Sequence, residues 1–309
     1  MRLSDRFGAS LSCPWCGANT DSAPRAHGCW KCEAQFVRDG GVLSWRGDVA
    51  DLIPSRGLWS QALHQLNPLS SRLSPLRYIG NWRVNRYYDR TLSDAVLAQN
   101  WARRNLRELH LPRGAAVLDH GCGRGRHIEL LSQLGFIVGA QEVVAHPWWH
   151  RLPECFIQKV PASAPRLPWK DATFAMVLDF LVLQNLPLER LSALASEVLR
   201  VLAPGGYWLI AEANDESYGA ATMRRIIGRL HPVTTVREIA ARAGFVEIDL
   251  TYEGFYAPMF PRAVDFVRKT MHPGAFDVDD YRSTLAARIP ASRRKMWLLR
   301  LRKCPGATQ

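Results

Sequence analysis

The residues best suited to chemistry lie at positions 119–125, where an acid, Asp119, precedes three glycines at alternate positions. An apolar run at 115–118 comes before them, and an amphipathic stretch at 126–134 follows and ends at Gly135. This pattern predicts a buried parallel strand, a tight glycine loop, and a helix that ends at a left-handed glycine. Glycines let the backbone come close to a ligand, and the first N–H groups of a helix bind an anionic group such as a carboxylate. The segment therefore predicts a ligand-binding loop.

A second acid, Glu142, ends the segment 136–142, where the next strand should end. A carboxylate at the carboxyl end of a strand can accept both hydroxyls of a ribose. The glycine spacing is Gly-x-Gly-x-Gly, whereas a dinucleotide fingerprint is Gly-x-Gly-x-x-Gly. The alternative is an ordinary strand, turn and helix with a solvated glutamate, and these residues alone leave it open.

The acid and its glycines resemble the first motif of class I S-adenosylmethionine (SAM)-dependent methyltransferases of the type 11 kind. Three later features follow in that family's order: Leu167-Pro168-Trp169, a strand at 174–178, and the turn 202–206 leading into a strand at 207–210. A helix opened by Pro187 separates the last two, and the resemblance covers about residues 82–303. It implies an α/β fold, with a Rossmann-like seven-stranded sheet and helices on both of its faces.

The resemblance also implies a set of SAM-binding residues, in which Asp119 lies near the ammonium group and Glu142 holds the ribose. The full set is Asp119, Gly121, Cys122, Gly123, Gly125, Glu142, Ser163 and Asp179. Ser163 stands where similar enzymes carry an aspartate for the adenine amino group, and Asn185 stands where many small-molecule methyltransferases have a histidine. The candidates for a base that deprotonates the acceptor are Asp179, His146, Glu212 and His231. The sequence does not choose among them, and the departures leave open a SAM-binding module that has lost catalysis.

Two Cys-x-x-C pairs near the start of the chain predict a structural zinc site. The four residues are Cys13, Cys16, Cys29 and Cys32, with twelve residues between the pairs. Each pair can direct two thiolates at one ion, and four thiolates leave no open position for catalysis. Two disulfides are the alternative, which a chain without a signal-like leader disfavours. The following residues resemble the end of the short zinc ribbons that precede bacterial methyltransferase domains.

The expected domain organisation is a zinc ribbon at 1–47, a linker and lid segment at 48–90, and the methyltransferase domain at 91–309. A leading helix is expected at 92–110, and a Thr-x-x-Glu capping box at 235–238 predicts the start of another. Strands at 245–251 and 295–302 resemble the antiparallel pair that closes the methyltransferase sheet. An aromatic insert at about 252–292 separates them and is well placed to wall an acceptor pocket.

The charge is concentrated at both ends of the chain. The net charge of +12 divides into +7 over residues 1–114 (16 basic, 9 acidic), −2 over 115–215 (8 and 10) and +7 over 216–309 (16 and 9). Basic flanks suit an anionic partner such as RNA or a membrane surface, although a solvated basic surface is equally compatible. No apolar run approaches the length of a membrane span, so a cytoplasmic protein is expected.

The sequence therefore predicts a SAM-dependent methyltransferase for a small organic or lipid-like acceptor, because the insert is aromatic. An RNA (rRNA or tRNA) methyltransferase that uses the ribbon and the basic flanks is the alternative. Against it, no Asn-Pro-Pro-Tyr type motif follows the strand at 174–178.

Overall fold

The computed structural model describes residues 11–19, 29, 31–32, 34–39, 42–45, 105–123, 125–143, 149, 152, 155–161, 164–217, 220–221, 224, 229–253, 290–294 and 296–304.

A single mixed β-sheet forms the centre of the described structure. Its strands are β1 (Phe36–Asp39), β2 (Val42–Trp45), β3 (Ala116–His120), β4 (Ile137–Glu142), β5 (Phe156–Lys159), β6 (Phe174–Phe180), β7 (Leu202–Ala213), β8 (Phe245–Glu253) and β9 (Met296–Lys303). They lie in the order β1-β2-β5-β4-β3-β6-β7-β9-β8. Strands β3 to β7 are parallel, and β9 lies antiparallel between β7 and β8. The seven strands β3 to β9 confirm the predicted Rossmann-like sheet and its closing antiparallel pair.

Helices cover both faces of this sheet, as predicted. They are α1 (Arg126–Gln133), α2 (Leu188–Val201) and α3 (Val233–Ala243). Helix α1 buries Ile128 and Leu131 on one face, whereas α2 and α3 bury Leu191 and Val236 on the other. The core is therefore made of two apolar layers separated by the sheet.

The helix ends follow the glycine and proline signals more closely than the capping-box signal. Helix α1 is followed by Gly135, whose φ is +85°, as the sequence predicts. Helix α3 begins at Val233, directly after Pro232, without a side-chain cap. The start predicted from the capping box at 235–238 was therefore wrong, because Pro232 occupies the N-cap position with a φ of −56° and Thr235 lies within the first turn of α3.

The N-terminal segment extends the sheet. Strands β1 and β2 form an antiparallel hairpin, and β2 pairs in parallel with β5, with Val42 opposite Ile157. The Trp45 Nε1–H donates to Gln158 Oε1 at 2.9 Å, and Trp45 is only 1% exposed. Ser12 Oγ donates to the Trp169 carbonyl at 2.9 Å. The hairpin and the methyltransferase-like sheet therefore share one hydrophobic core.

No helix in the described part of the chain has the length and apolar character needed to cross a membrane.

Candidate functional site

The glycine loop joins the carboxyl end of β3 to the start of α1. Its three glycines all have positive φ: +67° at Gly121, +53° at Gly123 and +85° at Gly125. A Cβ at Gly121 would lie 2.6 Å from Val182 Cγ2, so this position requires glycine for packing. At Gly123, by contrast, the nearest atom to such a Cβ would be Glu142 Oε2, at 4.0 Å. The middle of the loop therefore leaves room for a ligand to approach its backbone.

Glu142 is fixed beside this loop at the carboxyl end of β4. Its Oε2 accepts a hydrogen bond from the Gly123 N–H at 2.8 Å, and its Oε1 accepts one from Val143 N–H at 2.6 Å. The Trp149 Nε1–H donates to the Gly123 carbonyl at 2.8 Å, and the Cys122 N–H donates to the Gln141 carbonyl at 3.0 Å. The loop and the acid predicted to bind SAM are thus held next to each other.

Two further predicted residues are buried where β3 meets the loop. Asp119 is 1% exposed and lies in register with Ala140 and Leu178 of the neighbouring strands. Cys122 is buried, and burial raises the pKa of its thiol well above the usual value. Its thiol is therefore neutral at physiological pH, and its backbone N–H is occupied by β4.

Asp179 lies at the carboxyl end of β6, and its two carboxylate oxygens are both occupied. Oδ1 accepts a hydrogen bond from His120 Nδ1 at 2.5 Å, and Oδ2 accepts one from Trp208 Nε1 at 2.6 Å. Asp179 is fully buried, and His120 is 8% exposed. Burial favours a lower pKa for His120, but the charge of Asp179 and the bond to it outweigh burial, so the pKa of His120 is raised. The two residues form a buried hydrogen-bonded pair, which becomes an ion pair when His120 is protonated.

Glu212 and His231 both hold the turn that follows β6. Glu212 Oε1 accepts a hydrogen bond from the Leu183 N–H at 2.6 Å, and burial raises the pKa of Glu212 to about 8. His231 Nε2 lies 3.1 Å from the Leu183 carbonyl and 3.0 Å from the Leu186 carbonyl, to which it donates. Within the described structure, these two base candidates are thus engaged in holding backbone.

Comparison with known proteins supports the fold that carries this site. A family model described as a methyltransferase domain matches residues 118–210, which run from β3 to β7. A SAM-dependent methyltransferase from Archaeoglobus fulgidus has a similar fold, with a TM-score of 0.50 at 16% identity over 68% of this chain and 94% of that one. Residues 118–210 therefore match a methyltransferase domain, and the sheet around them has the fold of a SAM-dependent methyltransferase.

Curated relatives of this methyltransferase domain match it over part of their length. A tRNA (carboxymethyluridine(34)-5-O)-methyltransferase from Arabidopsis thaliana is 31% identical over 112 residues, or 35% of this chain and 27% of the relative. A probable S-adenosylmethionine-dependent methyltransferase from Mycolicibacterium smegmatis is 30% identical over 134 residues, or 41% of this chain and 50% of the relative. The chain thus spans half or less of these relatives.

A second solved structure of similar fold is the complex between the Haloferax volcanii Trm112 methyltransferase activator and a methyltransferase. Its TM-score is 0.51 at 16% identity, and the match covers 71% of this chain and 96% of that one.

The four cysteines predicted to bind zinc precede the methyltransferase domain in the sequence and lie close together in the structure. Their Sγ atoms all lie within 4.8 Å of one another, with 3.5 Å between Cys13 and Cys32 and 3.6 Å between Cys16 and Cys29. A tetrahedral zinc ion with Zn–S bonds of about 2.3 Å separates its sulfurs by about 3.8 Å. All four cysteines are free, so the two disulfides considered as an alternative are not formed in this structure. The donor set fits one zinc ion.

Other predicted site residues lie outside the described structure. These are Ser163, His146, the lid segment at 48–90 and most of the insert at 252–292. Among the described residues, Asp119, the glycines, Cys122 and Glu142 come together around one loop, while Asp179, Glu212 and His231 surround the turn after β6. The sequence interpretation missed His120, because its partner Asp179 is 59 positions away and only the pairing of β3 with β6 shows them to be neighbours.

Proposed function

We propose that this protein transfers the methyl group of SAM to an acceptor molecule. The observation that carries the proposal is the position of the Glu142 carboxylate inside the methyltransferase domain. It is hydrogen-bonded to Gly123 of the glycine loop, where a ligand has room to approach the backbone. A carboxylate offers about four acceptor positions. Two of them are used by the N–H groups of Gly123 and Val143, which leaves positions for the two hydroxyls of a ribose.

In this proposal the bound SAM supplies a methyl group that its sulfonium already activates. The residues of the chain bind and orient SAM and exclude water from the site, because an activated methyl group needs alignment more than chemical assistance. Asp119 would hold the ammonium group of SAM, and the N–H groups at the start of α1 would bind its carboxylate. Glu142 would bind the hydroxyls of its ribose.

Calorimetry with SAM and with S-adenosylhomocysteine tests the cofactor part of the proposal. We expect one site per chain for each ligand. Incubation with methyl-labelled SAM and candidate acceptors then tests the transfer. If the protein binds both ligands but transfers no label, the remaining alternative, a SAM-binding module without catalysis, would replace the enzyme.

For the acceptor, we propose a small organic or lipid-like molecule. The support is the composition of the insert, which carries Tyr256, Phe260 and Phe266 between the last two strands of the domain. Such an insert is positioned in sequence to contribute apolar walls to an acceptor pocket.

RNA is the second candidate acceptor, and two observations favour it. The chain is strongly basic at both ends, and one relative is a tRNA methyltransferase. The salt dependence of RNA binding separates the two candidates.

We also propose that Cys13, Cys16, Cys29 and Cys32 hold one structural zinc ion. The support is the convergence of their four Sγ atoms and the buried position of Cys13 and Cys29. Elemental analysis of the purified protein should find about one zinc per chain.

A further inference from the structure

A row of polar side chains crosses the sheet at the carboxyl ends of its central strands. His120 on β3 is in register with Gln141 on β4 and with Asp179 on β6. Side chains in register on neighbouring strands lie on the same face. All three are more than nine-tenths buried. Burying such a row costs free energy of folding unless its members form hydrogen bonds or bind a ligand, because burial removes their hydration.

The row lies where an open α/β sheet binds its ligand. From β3 the chain passes outward through β4 to β5, and then returns to form β6 on the opposite side of β3. Ligands of such sheets bind outside the carboxyl ends of the strands at this switch point. His120 and Asp179 are the facing residues of β3 and β6, and His120 directly precedes Gly121 of the glycine loop.

The bonding of the pair leaves one ring nitrogen for a ligand. His120 Nδ1 donates to Asp179, which is held in turn by Trp208 Nε1. Within the described part of the chain, His120 Nε2 makes no hydrogen bond, and the side chain keeps 10% of its surface exposed. Gln141 Oε1, on the other side of His120, is buried and has no hydrogen-bond partner among the described residues. Two polar groups without a hydrogen bond to the described residues therefore lie side by side at the switch point.

The backbone beside the pair is also strained. Leu181, two residues after Asp179, has a φ of +59°, and its N–H donates to the Ala211 carbonyl at 2.8 Å. A left-handed conformation is costly for a branched side chain, and such strain concentrates at functional sites.

We propose that His120 is the general base of the methyl transfer and that Asp179 is the positioning residue that holds its ring. This inference rests on the proposed function. The Nε2 lone pair of His120 takes the proton of an acceptor O–H or N–H group. The acceptor's lone pair forms the new bond to the methyl carbon, and the electron pair of the broken C–S bond stays on sulfur. The proton then leaves Nε2 for solvent.

The charged groups around His120 are consistent with a base of this kind. Asp179 on β6, Glu142 on β4 and Asp119 on β3 favour its protonated form and outweigh burial, which opposes it. Glu212 on β7 lies close enough to Asp179 for the two charges to interact. His120 therefore becomes a competent base as the pH rises through its raised pKa, and methyl transfer should increase with it.

The decisive experiment compares the titration of His120 in two complexes of the unmodified protein. Imidazole signals are followed by NMR against pH in the presence of SAM or S-adenosylhomocysteine, and the His120→Gln variant assigns the signal. The sulfonium of SAM carries a positive charge that the sulfur of S-adenosylhomocysteine lacks. If Nε2 faces the transferred methyl, we expect the His120 midpoint to lie about one pH unit lower with SAM.

The imidazole signal of His110, which is exposed at the end of the preceding helical segment, is the internal reference in both complexes. Equal His120 midpoints in the two complexes would overturn the assignment, since Nε2 would then lie away from the sulfur. If neither ligand binds, the proposed function fails as well, so the two failures are distinguishable.

Two variants test the roles of the pair. Asp179→Asn should lower the His120 midpoint in the ligand-free protein, and an unchanged midpoint would overturn the positioning role. His120→Gln should retain S-adenosylhomocysteine affinity within about threefold, because a base acts on the acceptor and not on cofactor binding. A much larger loss of affinity in a folded variant would make His120 a cofactor ligand instead.

Discussion

At the residue scale, Glu142 is the side chain whose loss should weaken cofactor binding most directly. Replacing it in Glu142→Ala removes both the bonds to a ribose and the bond that fixes Gly123. Charge-assisted hydrogen bonds of this kind contribute about 3 kcal/mol together. We therefore expect the variant to bind S-adenosylhomocysteine about a hundredfold more weakly in calorimetry. Glu129→Ala, which changes an exposed acid on α1, is the matched control and should bind normally. Wild-type affinity in a folded Glu142→Ala protein would exclude the proposed ribose contact.

Glu212 gives the protein a pH-dependent stability. Burial raises the pKa of Glu212 from 4.5 to about 8, so the folded state favours its neutral form. A raised carboxyl pKa contributes stability that is complete below pH 4.5 and is lost as the pH rises through 8. Glu212→Gln keeps an acceptor for the Leu183 N–H without the charge. We expect the stability of the variant relative to wild type to rise by about 3 kcal/mol from pH 5.5 to pH 8.5 in urea unfolding. An equal difference at both pH values would mean that Glu212 is not neutral when folded.

At the residue scale, the sequence predicted those groups whose role depends on local spacing. The glycine loop, Glu142 at a strand end and the paired cysteines all follow from short patterns, and the structure brings each set together. Asp179 was predicted as a base or a cofactor ligand, but its partners come from β3 and β7. No local pattern encodes a register between strands, so the occupation of its oxygens and the importance of His120 could not be derived from sequence.

At the element scale, glycine, proline and apolar runs located most strands and helices of the methyltransferase domain. The pairing of β2 with β5 was not predicted, because a four-residue strand carries no signal for its partner. The hairpin buries Leu43 and Trp45 in the same core as Phe156 and Trp169. The cysteine cluster, the hairpin and the sheet edge thus form one packed unit, in which Cys13 and Cys29 are themselves buried.

This packing predicts that loss of zinc destabilises the methyltransferase domain. The variant Cys13→Ser/Cys32→Ser should contain no zinc and should melt at a lower temperature, because the hairpin loses its support. A loss of about 2 kcal/mol corresponds to roughly 4–8 °C in a domain of this size. Cys304→Ser, which lies outside the cluster, should match wild type in both measurements. If the double variant retained zinc, the metal would be bound by other residues. An unchanged melting temperature would show that the hairpin does not stabilise the sheet.

At the scale of the whole molecule, several basic side chains are already paired with acids. In the described part of the basic C-terminal region, Arg237 pairs with Glu247, Arg242 pairs with Glu238, and Arg300 pairs with Asp249 and Glu108. Exposed pairs of this kind contribute little to stability, but each one reduces the charge available to a phosphate. The net charge of +12 already counts these acids, so any attraction to RNA must come from other basic residues of the chain.

The salt dependence of binding decides between the two acceptors. If the basic flanks bind RNA, counterions are released. The logarithm of the binding constant then falls with the logarithm of the salt concentration, with a slope of about −0.7 for each phosphate contacted. Five or six contacts would then cost about a hundredfold in affinity between 50 and 200 mM salt. A neutral small acceptor beside Tyr256 and Phe260 would show almost no such slope. We expect structured rRNA and tRNA fragments to bind only in the non-specific range and to receive no label from methyl-labelled SAM. Steady incorporation of label at one RNA position would reverse this preference and establish RNA as the acceptor, because non-specific attraction to phosphates cannot select a single nucleotide.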